Sequence, residues 1–362
     1  MPLSKIQTIG NQVVPNLGRR NILINGDMKV AQRGTSSTGL GATDGYYTVD
    51  RFKLNFSNTS ARFTMTQDSP TDLPGFTKAL KLDCTTADTS IAASEYLILH
   101  HILEGQDLQQ LKKGTSSAEK FTVSFYVKGN AAASYTLEIE DVDNNRYNAQ
   151  EFSVTTSWNR VSLTFDGDVT GVLDNDANAS IRMNFWLYVG SNFTSGTHTD
   201  NVWHTTATQR IGDNQTSLAD STDRTFFITG VQLELGDTAT EFEHRSFAEE
   251  LLLCKRYYTQ LQGASDAFAF PGKGQGSTSV DGTFPLAVPL RASPTMNSIA
   301  SRFFTDSGFS STTATPTANQ FQANNDVLAI NIGSFSGGAS FTNNEVGVWG
   351  IQATTLTISA EL

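Results

Sequence analysis

The chain has 362 residues, and Asp and Glu outnumber Lys and Arg by 36 to 25, for a net charge of −11. No basic run is longer than Arg19-Arg20 or Lys112-Lys113, so the counterion-displacing footprint of a nucleic-acid binder is excluded. Hydrophobic residues reach only 38% and charged residues 17%, so Ser, Thr, Asn and Gly supply much of the polar surface, a composition suited to many short strands and turns.

Residues 1–20, with Gly10, Pro15 and Gly18, read as an extended polar arm without the apolar h-region of a secretory signal. From 21 to 244 strand follows strand. FTVSFYVK places Phe121, Val123, Phe125 and Val127 on one face, and YTLEIE does the same with Tyr135, Leu137 and Ile139. VSLTF, IRMNFWLYV and FFITGVQLEL repeat the pattern, the last with Val231, Leu233 and Leu235. Period-two alternation with one apolar face predicts antiparallel sheets packed on one side, and turn residues between the runs point to a β-sandwich.

A short helix is expected at Gln106–Leu111 and a longer one over roughly Ser246–Leu261. In the latter Phe247, Leu251, Cys254 and Tyr258 share a helical face, and Ser246 with Glu249 fits a capping box. This second helix, within 245–262, is the expected linker. Residues 263–362 read as a smaller β domain built from FAF, GTFPLAVPL, VLAINIG and LTISAEL. Pro285 and Pro289 place GTFPLAVPL at a sheet edge or in a loop. Trp349 is the candidate packing centre there.

No apolar run approaches the ~18 residues of a membrane span, so no membrane insertion is expected. Cys84 and Cys254 are the only cysteines and form no CxxC, which excludes zinc motifs and a disulfide scaffold. Glu138 and Glu140 share a strand face and could form a glycosidase-type carboxylate pair, but they lie opposite Tyr135, Leu137 and Ile139, on the face expected to be solvated. Asp141-x-Asp143-x-Asn145 and Asp174-x-Asp176-x-Asn178 open like calcium loops yet lack the Gly and Glu that complete one. His198, His204 and Asp200 match no established metal spacing, and no nucleophile elbow or phosphate loop occurs. Aromatic side chains remain as the candidate sugar-stacking platform: Trp186, Tyr188 and Trp203 with His204 beside it, and also Tyr46, Tyr47, Tyr126 and Tyr147. The residues point to a binding or structural protein and not to an enzyme.

Three segments carry a resemblance. They are Asn16–Ser36 with Tyr46–Phe52, then Phe226–Tyr258, then Leu286–Met296 with the end Ile358–Leu362. Together they resemble tailed-bacteriophage virion proteins of the fibre and structural type. The NGD element opening the first strand, the stretch His100–Gly129 and the late VQLELG are similar to the jelly roll of carbohydrate-binding modules. The resemblance implies a jelly-roll β-sandwich over 21–244, the linker helix, and a smaller C-terminal β domain. It implies attachment to other virion proteins through residues 1–20, a homotrimer, and a host surface glycan as ligand. It further implies assembly in the host cytoplasm and display on the particle as a tail fibre, or else as a head fibre or capsid decoration without host binding. In related modules calcium sits near the first strand, where Asp27 is the matching position; the last strand here reads Val231-Gln232-Leu233-Glu234 where many carry an aspartate. No other cofactor is implied.

Overall fold

The computed structural model describes residues 8–9, 12–13, 19–262, 268–305, 308–320, 327–338, 342, 344–351 and 354–362. Most of the virion anchor expected at 1–20 lies outside them. The chain divides into two compact units, Met1–Arg245 and Ser246–Leu362. Among the described residues no helix is long and apolar enough to cross a membrane.

In the first unit β1 (Thr8–Ile9) and β2 (Gln12–Val13) form a two-stranded ladder. Then come β3 (Ser36–Leu40), β4 (Gly45–Tyr46), β5 (Phe52–Ser57), β6 (Arg62–Asp68), β7 (Ala79–Thr86) and β8 (Tyr96–Glu104). After two 3-10 turns, where the short helix was expected, follow β9 (Phe121–Gly129), β10 (Ala133–Asp141) and β11 (Arg146–Val154). The last three are β12 (Asn159–Phe165), β13 (Ala179–Val189) and β14 (Thr225–Leu235). Two six-stranded antiparallel sheets result, ordered β11-β10-β13-β8-β5-β4 and β12-β9-β14-β7-β6-β3. The chain passes repeatedly from one sheet to the other, as in a jelly-roll sandwich.

The alternation read from the sequence fills the space between the sheets. Leu54, Leu99, Leu137 and Phe185 from the first sheet share one buried cluster with Phe63, Leu82, Phe125 and Phe226 from the second. Phe125 meets Phe185 edge-on, with ring centroids 5.1 Å apart, an arrangement favoured by the ring quadrupole. Bulges interrupt the alternation, among them one in β14 between Thr229 and Gln232 and one in β13 between Trp186 and Tyr188.

In the second unit α1 (Phe247–Lys255) begins at Ser246, whose hydroxyl accepts the Glu249 amide at 3.2 Å. It is followed by β15 (Tyr258–Gln262), β16 (Phe268–Gln275), β17 (Ser279–Pro285), β18 (Thr295–Met296), β19 (Ile299–Thr305) and β20 (Gly308–Ala314). β21 (Thr317–Gln320), β22 (Val327–Ile332), β23 (Ser336–Gly338), β24 (Val346–Ile351) and β25 (Thr355–Ser359) complete it. The sheets are β15-β25-β18 and β21-β22-β17-β16-β24-β19-β20-β23. Trp349 is fully buried among Phe303, Val280 and Ile351.

Two expectations change here. The helix stops at Lys255, and Tyr258–Gln262 is a strand paired with β25. The Tyr-Tyr-Thr run favours a strand, and its partner lies about a hundred residues away in sequence, beyond the reach of any local periodicity. GTFPLAVPL splits: its first four residues end the interior strand β17, and the rest is loop. Pro285 is tolerated because it closes the strand.

Candidate functional site

Each strand of the first sheet turns alternate side chains to the sandwich core and to the outer face. On the outer face the register sets Glu138 opposite Asn184, Asn184 opposite His100, and His100 opposite Lys53. The result is a hydrogen-bonded row across the strands. Asn184 Nδ2 donates to Glu138 Oε2 and to Glu140 Oε2, each at 2.9 Å. His100 Nδ1 donates to Asn184 Oδ1 at 2.5 Å, and its Nε2 accepts from Asn55 Nδ2 at 2.8 Å. Those partners fix the neutral Nδ1–H tautomer. Burial holds the His100 pKa down at about 3, outweighing the hydrogen bond to Asn184 that pulls the other way.

Arg210 closes the row from the long connection between β13 and β14. Its Nε and Nη2 donate to the two oxygens of Glu138, both at 2.6 Å. Its guanidinium stacks 4.1 Å from the Tyr147 ring centroid and 5.1 Å from that of Trp186. Trp186 Nε1 adds a further hydrogen bond to Glu138 Oε2 at 3.0 Å.

The connection itself, residues 190–219, lies over this face. Backbone hydrogen bonds tie it down: Gly190 to Glu95, Asn201 to Ala149, Thr216 to Ser134, and a two-way bridge between His204 and Tyr147. The face expected to be solvated is therefore covered, and Glu138 is wholly buried. Both of its oxygens are engaged by Arg210, Asn184 and Trp186, so the Glu138–Glu140 pair offers no free acid and base for glycoside cleavage. What reaches solvent is the strip beside the row: Tyr46, Lys53, Asn55, Tyr96 and Arg182, all half-buried. Arg33 and Lys53 flank the Tyr46 ring, 5.3 and 5.9 Å from its centroid.

The sequence-derived platform is not brought together at the surface. Trp186 is 1% exposed and Tyr188 is fully buried. Trp186 packs with Ile98 and Ile211 beneath the cover. The β13 bulge breaks the alternation after Trp186 and sends Tyr188 into the sandwich core alongside Leu187. Trp203 is half-buried; its indole N–H donates to the Asp166 carbonyl at 2.7 Å, and its ring lies over the Lys113 ammonium. His204 uses its backbone in the bridge to Tyr147 and its Nδ1 on the Thr206 amide, while its buried Nε2 has no hydrogen-bond partner. His198 faces the Gln209 carbonyl and Asp200, each at 2.9 Å. Tyr47 donates to the Thr43 carbonyl, and Tyr126 packs on Phe76. Of the aromatics singled out, Tyr147 and Trp186 pack on Arg210 at the buried end of the row, and Tyr46 lies at its half-buried side.

Asp27 is buried, with Oδ2 2.6 Å from Lys29 Nζ and Oδ1 without a hydrogen-bond partner. One orphaned oxygen beside an ammonium does not fit calcium, which takes about six to eight oxygens. Among the described residues no group of three His, Cys, Asp or Glu could hold a metal ion. The two Asp/Asn runs are turn chemistry: Asp143 Oδ2 accepts the Asp174 amide at 2.9 Å and Asp176 Oδ1 accepts the Asn178 amide at 2.8 Å.

No family model matches the chain, and no curated protein matches it. Among solved structures it is similar to a family 11 carbohydrate-binding module of a cellulosomal cellulase of Clostridium thermocellum, with 12% identity over 58% of this chain and 98% of that one, TM-score 0.29. It is similar to the module TmCBM61 in complex with β-1,4-galactotriose, with 10% identity over 60% and 99%, TM-score 0.30. A tandem of two family 22 modules from Paenibacillus barcinonensis aligns at 10% identity over 85% and 86%, TM-score 0.26. TM-scores this low carry no weight for the site; the sandwich stands on its own strand pairing.

Proposed function

We propose that this chain is a non-catalytic, glycan-binding virion protein of a tailed bacteriophage, a tail fibre assembled in the host cytoplasm and displayed on the particle as a homotrimer. The observation that carries the binding role is the locked row Arg210–Glu138–Asn184–His100–Asn55 with the half-buried strip of Tyr46, Lys53 and Arg182 at its open side. Sugar recognition asks for planar polar groups fixed in place before the ligand arrives, and for a ring face nearby. Asn55, Lys53 and Arg182, seated on the buried row, supply the first and Tyr46 the second. The virion role rests on the three resembling segments, with residues 1–20 as the attachment arm and threefold display multiplying weak contacts by avidity.

The test is adsorption competition with the purified full chain, together with a glycan array. The chain should lower phage attachment and bind a defined glycan. Tyr46→Ala and Asn55→Ala should lose both, with folding intact by circular dichroism. A monomeric mass by light scattering at micromolar concentration would overturn the trimer.

A second reading, a head fibre or capsid decoration without host binding, is favoured by one observation: Trp186, Tyr188 and Trp203 are committed to packing. Unchanged attachment in the presence of folded, oligomeric protein would establish it instead.

A further inference from the structure

A second buried constellation lies where three connections of the first unit meet. Lys113 follows Lys112, whose φ of 50° turns the chain, and the Lys113 side chain is only 4% exposed. Its Nζ lies against Asp141 Oδ2 in very close contact, 3.0 Å from Asp168 Oδ2, and 3.0 Å from each of the Thr170 and Gly171 carbonyls. Asp141, the last residue of β10, is wholly buried. Its Oδ1 accepts the Asn144 backbone amide at 3.1 Å, and Asn144 Nδ2 is shared between its two oxygens, 3.2 Å from Oδ1 and 3.0 Å from Oδ2. Asp168 is gripped by Arg146 at 2.6 and 3.0 Å and by the Thr170 amide at 3.0 Å. The Trp203 ring caps the ammonium, 5.1 Å away.

We propose that Lys113 and Asp141 join in an intramolecular isopeptide bond, with Asp168 carrying the proton. A buried ammonium–carboxylate pair is costly to desolvate, whereas the amide that replaces it is neutral. The fold holds amine and carboxyl in contact, and such positioning is worth an effective concentration of about 10⁵–10⁸ M. In the water-poor site one ammonium proton passes to Asp141 Oδ2, leaving a neutral amine and a carboxylic acid. The Nζ lone pair attacks Asp141 Cγ. Charge develops on Oδ1, where the Asn144 backbone amide, joined by the Nδ2–H it shares with Oδ2, stands as an oxyanion hole. Asp168 takes the second proton from nitrogen and delivers it to Oδ2, which leaves as water when the Cγ–Oδ2 bond breaks. Ammonium and carboxylate become amide and water, so no oxidant, reductant or co-reactant is needed.

Asp168 is in the ionised form that can accept a proton. Burial pushes its carboxyl up, but hydrogen bonds from Arg146, the Thr170 amide and Lys113 outweigh it and hold the group ionised below the usual carboxylate range. A bond there would staple β10 to the segment before β9.

Intact-mass spectrometry of the denatured full chain decides it. The wild type should be one water lighter than its sequence, and digestion should give one branched peptide containing Lys113 and Asp141. Lys113→Arg and Asp141→Ala should have the unmodified mass, Asp141→Asn should lose ammonia instead of water, and Asp168→Ala should form the link slowly or not at all. Folded wild-type protein that keeps its full sequence mass after prolonged incubation, or a water loss mapped to other residues, would overturn the bond. Linkage at an unchanged rate in Asp168→Ala would overturn the role of Asp168.

Discussion

Arg210 and Glu138 depend on each other more than on anything else in the outer-face row. Removing the cation leaves a buried carboxylate with only Asn184 and Trp186 to neutralise it, and breaking a buried pair in this way costs about 3–5 kcal/mol. Arg210→Met should therefore lower stability by that order in urea unfolding, while Arg210→Met with Glu138→Gln should recover most of the loss. Simple additivity of the two single changes would show that the row is not coupled. His100 and His101 make a second residue-scale prediction. Burial holds both pKa values at about 3, against 6.5 for the free side chain. The unfolded chain thus binds protons that the folded one refuses, so this stability is complete above about pH 6.5 and drains away as pH falls toward 3. Arg182, Lys53 and Glu138 act on His100, and Arg51 acts on His101. His101→Leu should flatten the pH dependence of the urea midpoint between pH 7 and 4.5; an unchanged slope would mean that the ring is protonated in the fold. At this scale the sequence signalled Glu138 and Glu140 as a pair but not their partner. Arg210 sits in a Thr- and Gln-rich run with no periodicity, so nothing local announced that it would reach across to β10.

Among the elements, β14 shows why the alternation could be read and where it could mislead. Phe226 and Ile228 point inward, as do Val231 and Leu233, and the odd spacing between the pairs is absorbed by Gly230 at φ +62°. A Cβ there would lie 2.7 Å from Phe76 Cζ. Gly230→Ala should cost about 1–2 kcal/mol from the left-handed backbone alone, with steric crowding in addition, read as a lowered midpoint with the sheet signature retained. A wild-type midpoint would mean that the bulge relaxes. The same device in β13 defeated the reading of Tyr188, because one extra residue moves a side chain from the outer face to the core. Strand existence was legible, since a two-residue period needs only local sequence. The 190–219 cover was not, because a Gly-, Thr- and Asn-rich segment held by backbone hydrogen bonds, Arg210 and the scattered Phe193, Ile211 and Leu218 leaves no apolar period. α1 ends early for a related reason: a strand partner at Thr355–Ser359 outweighs the helical spacing of Tyr258.

For the whole molecule, each unit has a core of its own. The first is filled by Phe63, Phe125, Phe185 and their neighbours, and the second by Phe303, Trp349, Leu356 and Ile358. Units with separate cores unfold as separate cooperative bodies unless a large apolar interface couples them, so calorimetry of the full chain should resolve two transitions. The end of the first unit is more than a tail after β14. Glu243 accepts the Asn21 amide at 2.7 Å, and Arg245 donates to the Leu23 carbonyl at 2.8 Å and to the Asn21 carbonyl. These contacts lock the opening segment, Asn21–Leu23, whose own Asn21 side chain bonds the Val231 carbonyl and the Leu233 amide of β14. A chain cut after Arg245 should thus keep one of the two transitions at its full-length temperature. A chain cut after Thr240 loses both clasps and should unfold several degrees lower, since a deficit of about 1 kcal/mol moves the midpoint by about 2–4 °C in a unit of this size. Equal midpoints for the two truncations would show that the opening segment is held by β14 alone. A single transition in the full chain, absent from either truncation, would show that the two cores fold as one body.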